Sequence, residues 1–358
     1  MTFEKLYTSY QEKELTGLWI HYKQIEPYLQ KLDANIFKQK IIGTSENNVP
    51  IHSIQIGTGK TKILLWSQMH GDESTATKSL FDLFNFVTNN YTTDKQLIKL
   101  LNSSTLLFIP MLNPDGALAY TRENADGTDL NRDAQTLSSK EAQLLMYTAK
   151  TFNPNFAFNL HDQTSFYNIT ETDVATISFL SPAAEATRSV TKSRREAMSV
   201  IVAMNKSLQN YIPNKVGRYN DTFNENCFGD SFQVLDYPTI LIESGYYPGD
   251  ETREETRKFH FIALLSGLYA IANQEKHEES AYFDIPLNQK CFYDLRIDQV
   301  VFQDKLTSIA IRFSYKLQNG VLKRIVDETE TISGSELAGK IFHKVLDAKG
   351  QLFTELDL

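Results

Sequence analysis

The stretch Ile63-Leu64-Leu65-Trp66-Ser67-Gln68-Met69-His70-Gly71-Asp72-Glu73 joins an unbroken apolar run to a polar cluster that follows it directly. An apolar run that does not alternate with polar residues is typical of a strand covered on both faces, as in a parallel sheet. Similar runs occur at residues 106–109, 156–158 and 240–242, and each is also followed by polar residues. This repeated pattern indicates a buried central sheet.

Segments with helical spacing alternate with these runs, at residues 74–90, 138–151, 185–211 and 251–273. Strands that alternate with helices predict an α/β fold with a mixed, largely parallel central sheet flanked by helices. We place this first domain at residues 1–275 and expect it to carry the functional site.

The pattern changes after the charged segment 274–280. Apolar and polar residues alternate strictly from Ile309 to Leu317, which predicts a strand in a small antiparallel module. We therefore predict a small β-rich accessory domain at residues 281–358. It could brace the first domain, shape its cleft or mediate dimerisation, and the sequence does not indicate an oligomeric state.

The composition excludes several classes of partner. The chain has 358 residues with 44 Asp and Glu against 36 Lys and Arg. It has no long basic run, so nucleic acid and anionic membrane surfaces are not expected partners. No apolar segment has the length of a signal peptide or of a bilayer crossing, about 20 residues, and we expect a soluble, cytoplasmic protein.

The two cysteines, Cys227 and Cys291, do not form a CxxC pair. Neither a disulfide framework nor a cysteine zinc site is therefore predicted. A single disulfide between the two remains an open alternative.

Polar side chains at the ends of the apolar runs predict a metal site. In open α/β sheets, ligands bind beyond the carboxyl ends of the strands, where His70, His161 and Glu243 are expected to lie. His70 and Glu73 form an HxxE pair just before a predicted helix, and His161 could supply a third ligand. Such a His₂Glu set binds zinc and leaves one coordination position open. Taken alone, HxxE is a spacing that also arises by chance.

The chain resembles the carboxypeptidase A-like zinc peptidases from about Ile41 to Asn273. The resemblance is strongest where Asn-Pro-Asp-Gly is followed by Asp-Leu-Asn-Arg. The family's motifs occur in order as His70-Gly71-Asp72-Glu73, Asn113-Pro114-Asp115-Gly116, Asp129-Leu130-Asn131-Arg132, Asn159-Leu160-His161 and Ile242-Glu243-Ser244.

The resemblance implies one Zn²⁺ ion bound by His70, Glu73 and His161, and hydrolysis of the C-terminal peptide bond of a peptide by a zinc-activated water. It implies that Glu243 is the general base and that Arg122 stabilises the oxyanion.

The same resemblance implies that Asn131 and Arg132 bind the terminal carboxylate of the substrate, for which a guanidinium group is well shaped. Asp129 is expected to orient a zinc-binding histidine, His70. Tyr219 is a candidate for the mobile substrate-binding tyrosine of the family.

Two alternative functions remain open on the sequence alone. One is a zinc amidohydrolase of the acylase type that acts on a small amide carrying a carboxylate. The other is a non-catalytic peptide-binding module, although such a module needs no general base.

Several charged and polar residues can also be interpreted as structural or solvent-exposed, without a role in catalysis or binding. Arg122 could form only a weak surface ion pair. The Asn113–Gly116 tetrapeptide is interpreted as a structural turn. Lys192, Arg194 and Arg195 are interpreted as a solvated helix face.

Overall fold

The computed structural model of the chain describes residues 2–332 and 340–356. These residues form an eight-stranded sheet with helices on both sides and a second, four-stranded sheet. The strands of the first sheet are β1 (Lys38–Thr44), β2 (Pro50–Ile56), β3 (Thr61–Ser67), β4 (Ser104–Ile109), β5 (Phe156–Asp162), β6 (Ile177–Leu180), β7 (Val216–Arg218) and β8 (Thr239–Ser244).

The strand order of the first sheet is β1-β2-β4-β3-β5-β8-β6-β7. The four central strands β4, β3, β5 and β8 are parallel. Antiparallel pairs join β1 to β2, β2 to β4 and β6 to β8. The predicted α/β class, with a mixed and largely parallel sheet, is confirmed.

The helices agree with most of the predicted stretches. The segment predicted at 185–211 forms a helix only from residue 192, and the helix at 95–103 was not predicted. The helices are α1 (Phe3–Tyr10), α2 (Tyr22–Lys31), α3 (Thr75–Asn90), α4 (Lys95–Ser103), α5 (Pro114–Ala119), α6 (Lys140–Phe152), α7 (Lys192–Leu208), α8 (Phe228–Val234), α9 (Glu254–Asn273) and α10 (Glu279–Phe283).

Strand β3 shows why the central runs are apolar throughout. Ile63 and Leu65 belong to the core on one face of the sheet, which includes residues of α3 and α9. Leu64 and Trp66 belong to the core on the other face, which includes residues of α6 and α8. Because successive side chains of a strand point to opposite faces, both sets must be apolar when both faces are covered.

The second sheet consists of β9 (Phe292–Phe302), β10 (Lys305–Gln318), β11 (Val321–Ile332) and β12 (Ile341–Asp347), in the order β11-β10-β9-β12. The predicted strand at 309–317 lies within β10. The prediction of an antiparallel module is wrong for β12, which pairs with β9 in parallel. Strand β12 does not form a hairpin with β11 but lies at the opposite edge of the sheet, next to β9. The domain boundary at 275–281 stays a prediction.

Cys227 and Cys291 are both free thiols. Among the described residues, the helices lack the combination of length and hydropathy that crossing a membrane would require.

Candidate active site

His70, Glu73 and His161 form a buried cluster whose ligand atoms all lie within 4.8 Å of one another. The two carboxylate oxygens of Glu73 lie 2.8 Å from Nδ1 of His70 and 2.7 Å from Nδ1 of His161. Burial would raise the pKa of Glu73, but the two imidazoles hold that pKa well below its usual range. Both histidines thus turn the same ring nitrogen toward one carboxylate.

The loop that carries His70 and Glu73 is fixed by close packing against the start of α5. A Cβ on Gly71 would lie 1.9 Å from the carbonyl carbon of Gly116, so only glycine fits at position 71. Asn113 caps α5 by accepting a hydrogen bond from the Gly116 amide, and its Nδ2 donates to the carbonyl of Met69. The Asn113–Gly116 stretch is therefore a helix N-terminus with Pro114 in the first turn, where the sequence analysis predicted only a turn.

Asp129 connects His70 to Arg122. Its Oδ1 lies 3.2 Å from Nε2 of His70, and its Oδ2 accepts a 2.9 Å hydrogen bond from Nε of Arg122. Burial would raise the pKa of Asp129, but the contacts with His70 and Arg122 hold it below its usual range. Because the Asp129 carboxylate pairs with Nε2 of His70, Nδ1 is the ring nitrogen that is available to bind a metal.

Arg122 lies against the ligand cluster. Its Nη1 is 3.2 Å from Nδ1 of His70 and 3.6 Å from a carboxylate oxygen of Glu73. A guanidinium group in this place can donate hydrogen bonds to an oxygen that gains negative charge beside the cluster.

Glu243 faces His161 across two parallel strands, because the two residues are register partners in the β5–β8 pair. Burial raises the pKa of Glu243 well above its usual range, and the nearby carboxylate of Glu73 adds to this effect. A bound dication would lower this pKa by stabilising the carboxylate. A carboxyl group in such surroundings is suited to accept and return a proton.

A cleft of about 910 Å³ brings the predicted site residues together. Asn131, Arg132 and Tyr219 line it beside the ligand cluster, Arg122 and Glu243. The Asn131 side chain accepts a hydrogen bond from the Phe228 amide, and Nη1 of Arg132 lies 3.2 Å from the sulfur of Cys227. The roles assigned to these side chains stay predictions.

The sequence analysis left open whether the β-rich module braces the first domain, shapes its cleft or mediates dimerisation. In the structure, the second sheet lines this cleft. Phe313, Tyr315 and Arg324 reach it from β10 and β11. No local spacing could have indicated this, because these residues are far in the chain from the zinc-binding motifs and meet them only through tertiary packing.

The cluster fits a zinc ion on the chemistry of its donors. Two imidazole nitrogens and a carboxylate are the donor set of catalytic zinc sites with an open position. The surrounding carboxylates also favour positive charge: burial would lower the pKa of His70, but Glu73 and Asp129 raise it to about 9. The same field would favour a dication.

The fold and this cluster define an α/β protein with a candidate zinc site of the His₂Glu type. A family model described as zinc carboxypeptidase matches residues 24–319, which is most of the chain. The chain therefore belongs to the zinc carboxypeptidase family.

Relatives and solved structures agree with this assignment. Carboxypeptidase SOL1 of Arabidopsis thaliana is 34% identical over 98 residues, which are 26% of this chain and 20% of that protein. Carboxypeptidase E of Caenorhabditis elegans is 32% identical over 150 residues, 34% of this chain and 31% of that protein. The match thus spans between a fifth and a third of these relatives' length.

Among solved structures, a metallo-carboxypeptidase from Burkholderia cenocepacia has a TM-score of 0.58 at 16% identity and covers 71% of this chain and 70% of its own. Thrombin-activatable fibrinolysis inhibitor has a TM-score of 0.57 at 14% identity and covers 76% of this chain and 80% of its own. These likenesses show the carboxypeptidase fold.

Proposed function

We propose that this protein removes the C-terminal amino acid from peptides by zinc-dependent hydrolysis. The observation that carries the proposal is the arrangement of Glu243 directly opposite His161 in the β5–β8 register, beside a His–Glu–His cluster. A general base next to a metal-binding site is what metal-assisted hydrolysis of a peptide bond requires.

A zinc ion held by His70, Glu73 and His161 would lower the pKa of a bound water to about 7 and polarise the scissile carbonyl. Glu243 takes the proton of the attacking water and passes it to the nitrogen of the leaving amino acid. Arg122 donates hydrogen bonds to the carbonyl oxygen as negative charge develops there. Asp129 holds the imidazole of His70 and the guanidinium of Arg122 in these positions.

Asn131 and Arg132 would select a substrate with a free terminal carboxylate. Because the Phe228 amide already donates to Oδ1 of Asn131, the Asn131 side chain turns its NH₂ group toward other acceptors. Arg132 is exposed at the mouth of the cleft, where its fork of donors can bind a carboxylate. Tyr219 packs against Tyr167, with ring centroids 5.1 Å apart, and would cover the bound substrate from the side.

The two alternatives are less well supported. A non-catalytic binding module would gain nothing from a carboxyl group buried beside the metal ligands. An acylase-type amidohydrolase would use the same zinc site, but the family match favours a peptide substrate. The cytoplasmic location expected from the sequence stays a prediction.

The test is a panel of short peptides and small carboxylate-bearing amides, incubated with the zinc-loaded protein and analysed by mass spectrometry. We expect loss of single residues from peptide C-termini, and no product from zinc-loaded Glu243→Gln. Cleavage of the small amides alone would instead support the acylase-type alternative. Cleavage by Glu243→Gln at the wild-type rate would contradict the role of this residue.

A further inference from the structure

The four-stranded sheet is bonded to the loop that follows His161. We call residues 290–332 and 340–356 the C-terminal module. Within it, Asp294 accepts a 2.6 Å hydrogen bond from Oγ of Ser165, and Nε2 of His343 lies 2.9 Å from the carbonyl oxygen of Ser165. Further along the loop, the Cys291 amide donates to Oδ1 of Asn168. The module therefore fixes residues 165–168, a segment that begins four residues after the proposed zinc ligand His161.

The module also packs against the chain that follows Glu243. The ring of His343 lies between Tyr246 and Phe292, with centroid distances of 4.3 and 4.4 Å. Tyr246 comes three residues after Glu243, and Phe292 is buried. Both catalytic strands, β5 and β8, thus lead directly into segments that the module holds.

The module supplies its own side chains to the cleft. Phe313 and Tyr315 on β10 line it together with Arg324 on β11. The guanidinium of Arg324 lies 4.4 Å from the centroid of the Phe313 ring, a cation–π contact that holds it at this surface. These residues are accordingly part of the binding surface and not only a support for it.

The position of the module indicates which part of a peptide it would meet. Arg132, the proposed site for the terminal carboxylate, contacts Cys227, whereas the module contacts residues 165–168 and 246. A peptide anchored at Arg132 and cleaved at the ligand cluster must extend its preceding residues away from Arg132. The module supplies one of the remaining walls of the cleft, and we assign these preceding residues to it.

Among the described residues of the module, three cations and two carboxylates line the cleft. The module places Lys290, Arg324 and Lys344 in the cleft, against the carboxylates of Asp294 and Asp327. Asp294 is already bonded to Ser165 and to the Phe313 amide. Glu251 lies 3.8 Å from Arg324, but both side chains are exposed and such a pair is weak.

We propose that the C-terminal module binds the part of the peptide that precedes the cleaved residue, and that its cations select a carboxylate there. The inference rests on the proposed function. Because the protein as a whole is acidic, with a net charge of −8, the three cations of the module are the groups at this part of the cleft that can attract a peptide carboxylate.

The test uses two peptides that differ only in carrying Glu or Gln at both positions preceding the scissile bond. We expect the wild-type protein to prefer the Glu peptide in kcat/KM, on the order of two- to fivefold for each exposed cation that contributes. The preference should appear in KM more than in kcat, and it should shrink at high ionic strength. Arg324→Gln and Lys344→Gln should each reduce it.

The matched control is Lys323→Gln, since Lys323 is exposed beside Arg324 on β11 but does not line the cleft. It should keep the wild-type preference. Calorimetric binding of both peptides to zinc-loaded Glu243→Gln gives the same comparison without cleavage. If the Glu peptide bound more tightly than the Gln peptide but the wild-type protein cleaved neither, the proposed function would be wrong and the role of the module would stand. Equal affinity for the two peptides, or a preference unchanged in Arg324→Gln and Lys344→Gln, would overturn the role of the module.

Discussion

At the scale of single residues, Asp129 shows how the zinc site depends on groups that do not touch the metal. One of its carboxylate oxygens lies beside Nε2 of His70, and the other accepts from Arg122. It also accepts a 2.9 Å hydrogen bond from the Asn131 amide. A single side chain therefore contacts His70, Arg122 and the backbone of Asn131, the residues to which metal, oxyanion and substrate binding are assigned in the proposed function.

Replacing Asp129 by Asn should weaken zinc binding by roughly 10- to 100-fold, the usual effect of losing a partner that orients a metal-binding histidine. The amide keeps the shape of the side chain but loses the charge that favours the Nε2-protonated form of His70. Zinc affinity is measured by competition with a chromogenic chelator. Asp126→Asn, an exposed change in the same loop, is the control. Equal affinities in the two variants would show that Asp129 does not orient His70.

At the scale of elements, α7 corrects an interpretation made from the sequence. Arg194 was assigned to a solvated helix face together with Lys192 and Arg195, but its side chain is fully buried. It forms an ion pair with Asp221 and donates a 2.6 Å hydrogen bond to the carbonyl of Arg188. The helical period did not indicate that Arg194 is buried, because its partner Asp221 lies in a loop and not in a helix or strand.

Replacing Arg194 by Met should lower the free energy of unfolding by about 3–5 kcal/mol, since it leaves the carboxylate of Asp221 without its buried partner. Arg195→Met, one residue further on the same helix, removes an exposed pair with Glu279 and an exposed hydrogen bond to the carbonyl of Val190. It should change the free energy of unfolding by less than about 0.5 kcal/mol. Urea denaturation followed by circular dichroism measures both. Similar stabilities for the two variants would restore the solvated-face interpretation.

At the scale of the whole molecule, the parallel sheet unites residues that are far apart in the chain. His70, His161 and Glu243 follow or end three neighbouring strands, β3, β5 and β8. This much was predictable, because buried strands have a recognisable apolar pattern and sites form beyond their carboxyl ends. The apolar runs, the polar residues that follow them and the family resemblance together therefore indicated both the fold class and the zinc ligands.

The contribution of the C-terminal module could not be predicted in this way. The strand at 309–317 was recognisable from its alternation, but nothing in that pattern says which face meets the cleft. The contacts that decide it, such as Asp294 with Ser165, join residues 129 positions apart. The parallel placement of β12 was missed for a similar reason, because strand pairing across a sheet depends on the path of the chain and not on the residues of one strand.

The most direct test of the central claim compares one peptide carrying a free C-terminal carboxylate with the same peptide carrying a C-terminal amide. We expect the zinc-loaded protein to release the last residue only from the free acid, and chelator-treated protein to release none until zinc is restored. The reason is that the proposed role of Arg132 needs a carboxylate on the substrate and the proposed reaction needs the metal. Equal cleavage of the two peptides, or undiminished cleavage by the metal-free protein, would contradict the assignment as a zinc-dependent carboxypeptidase.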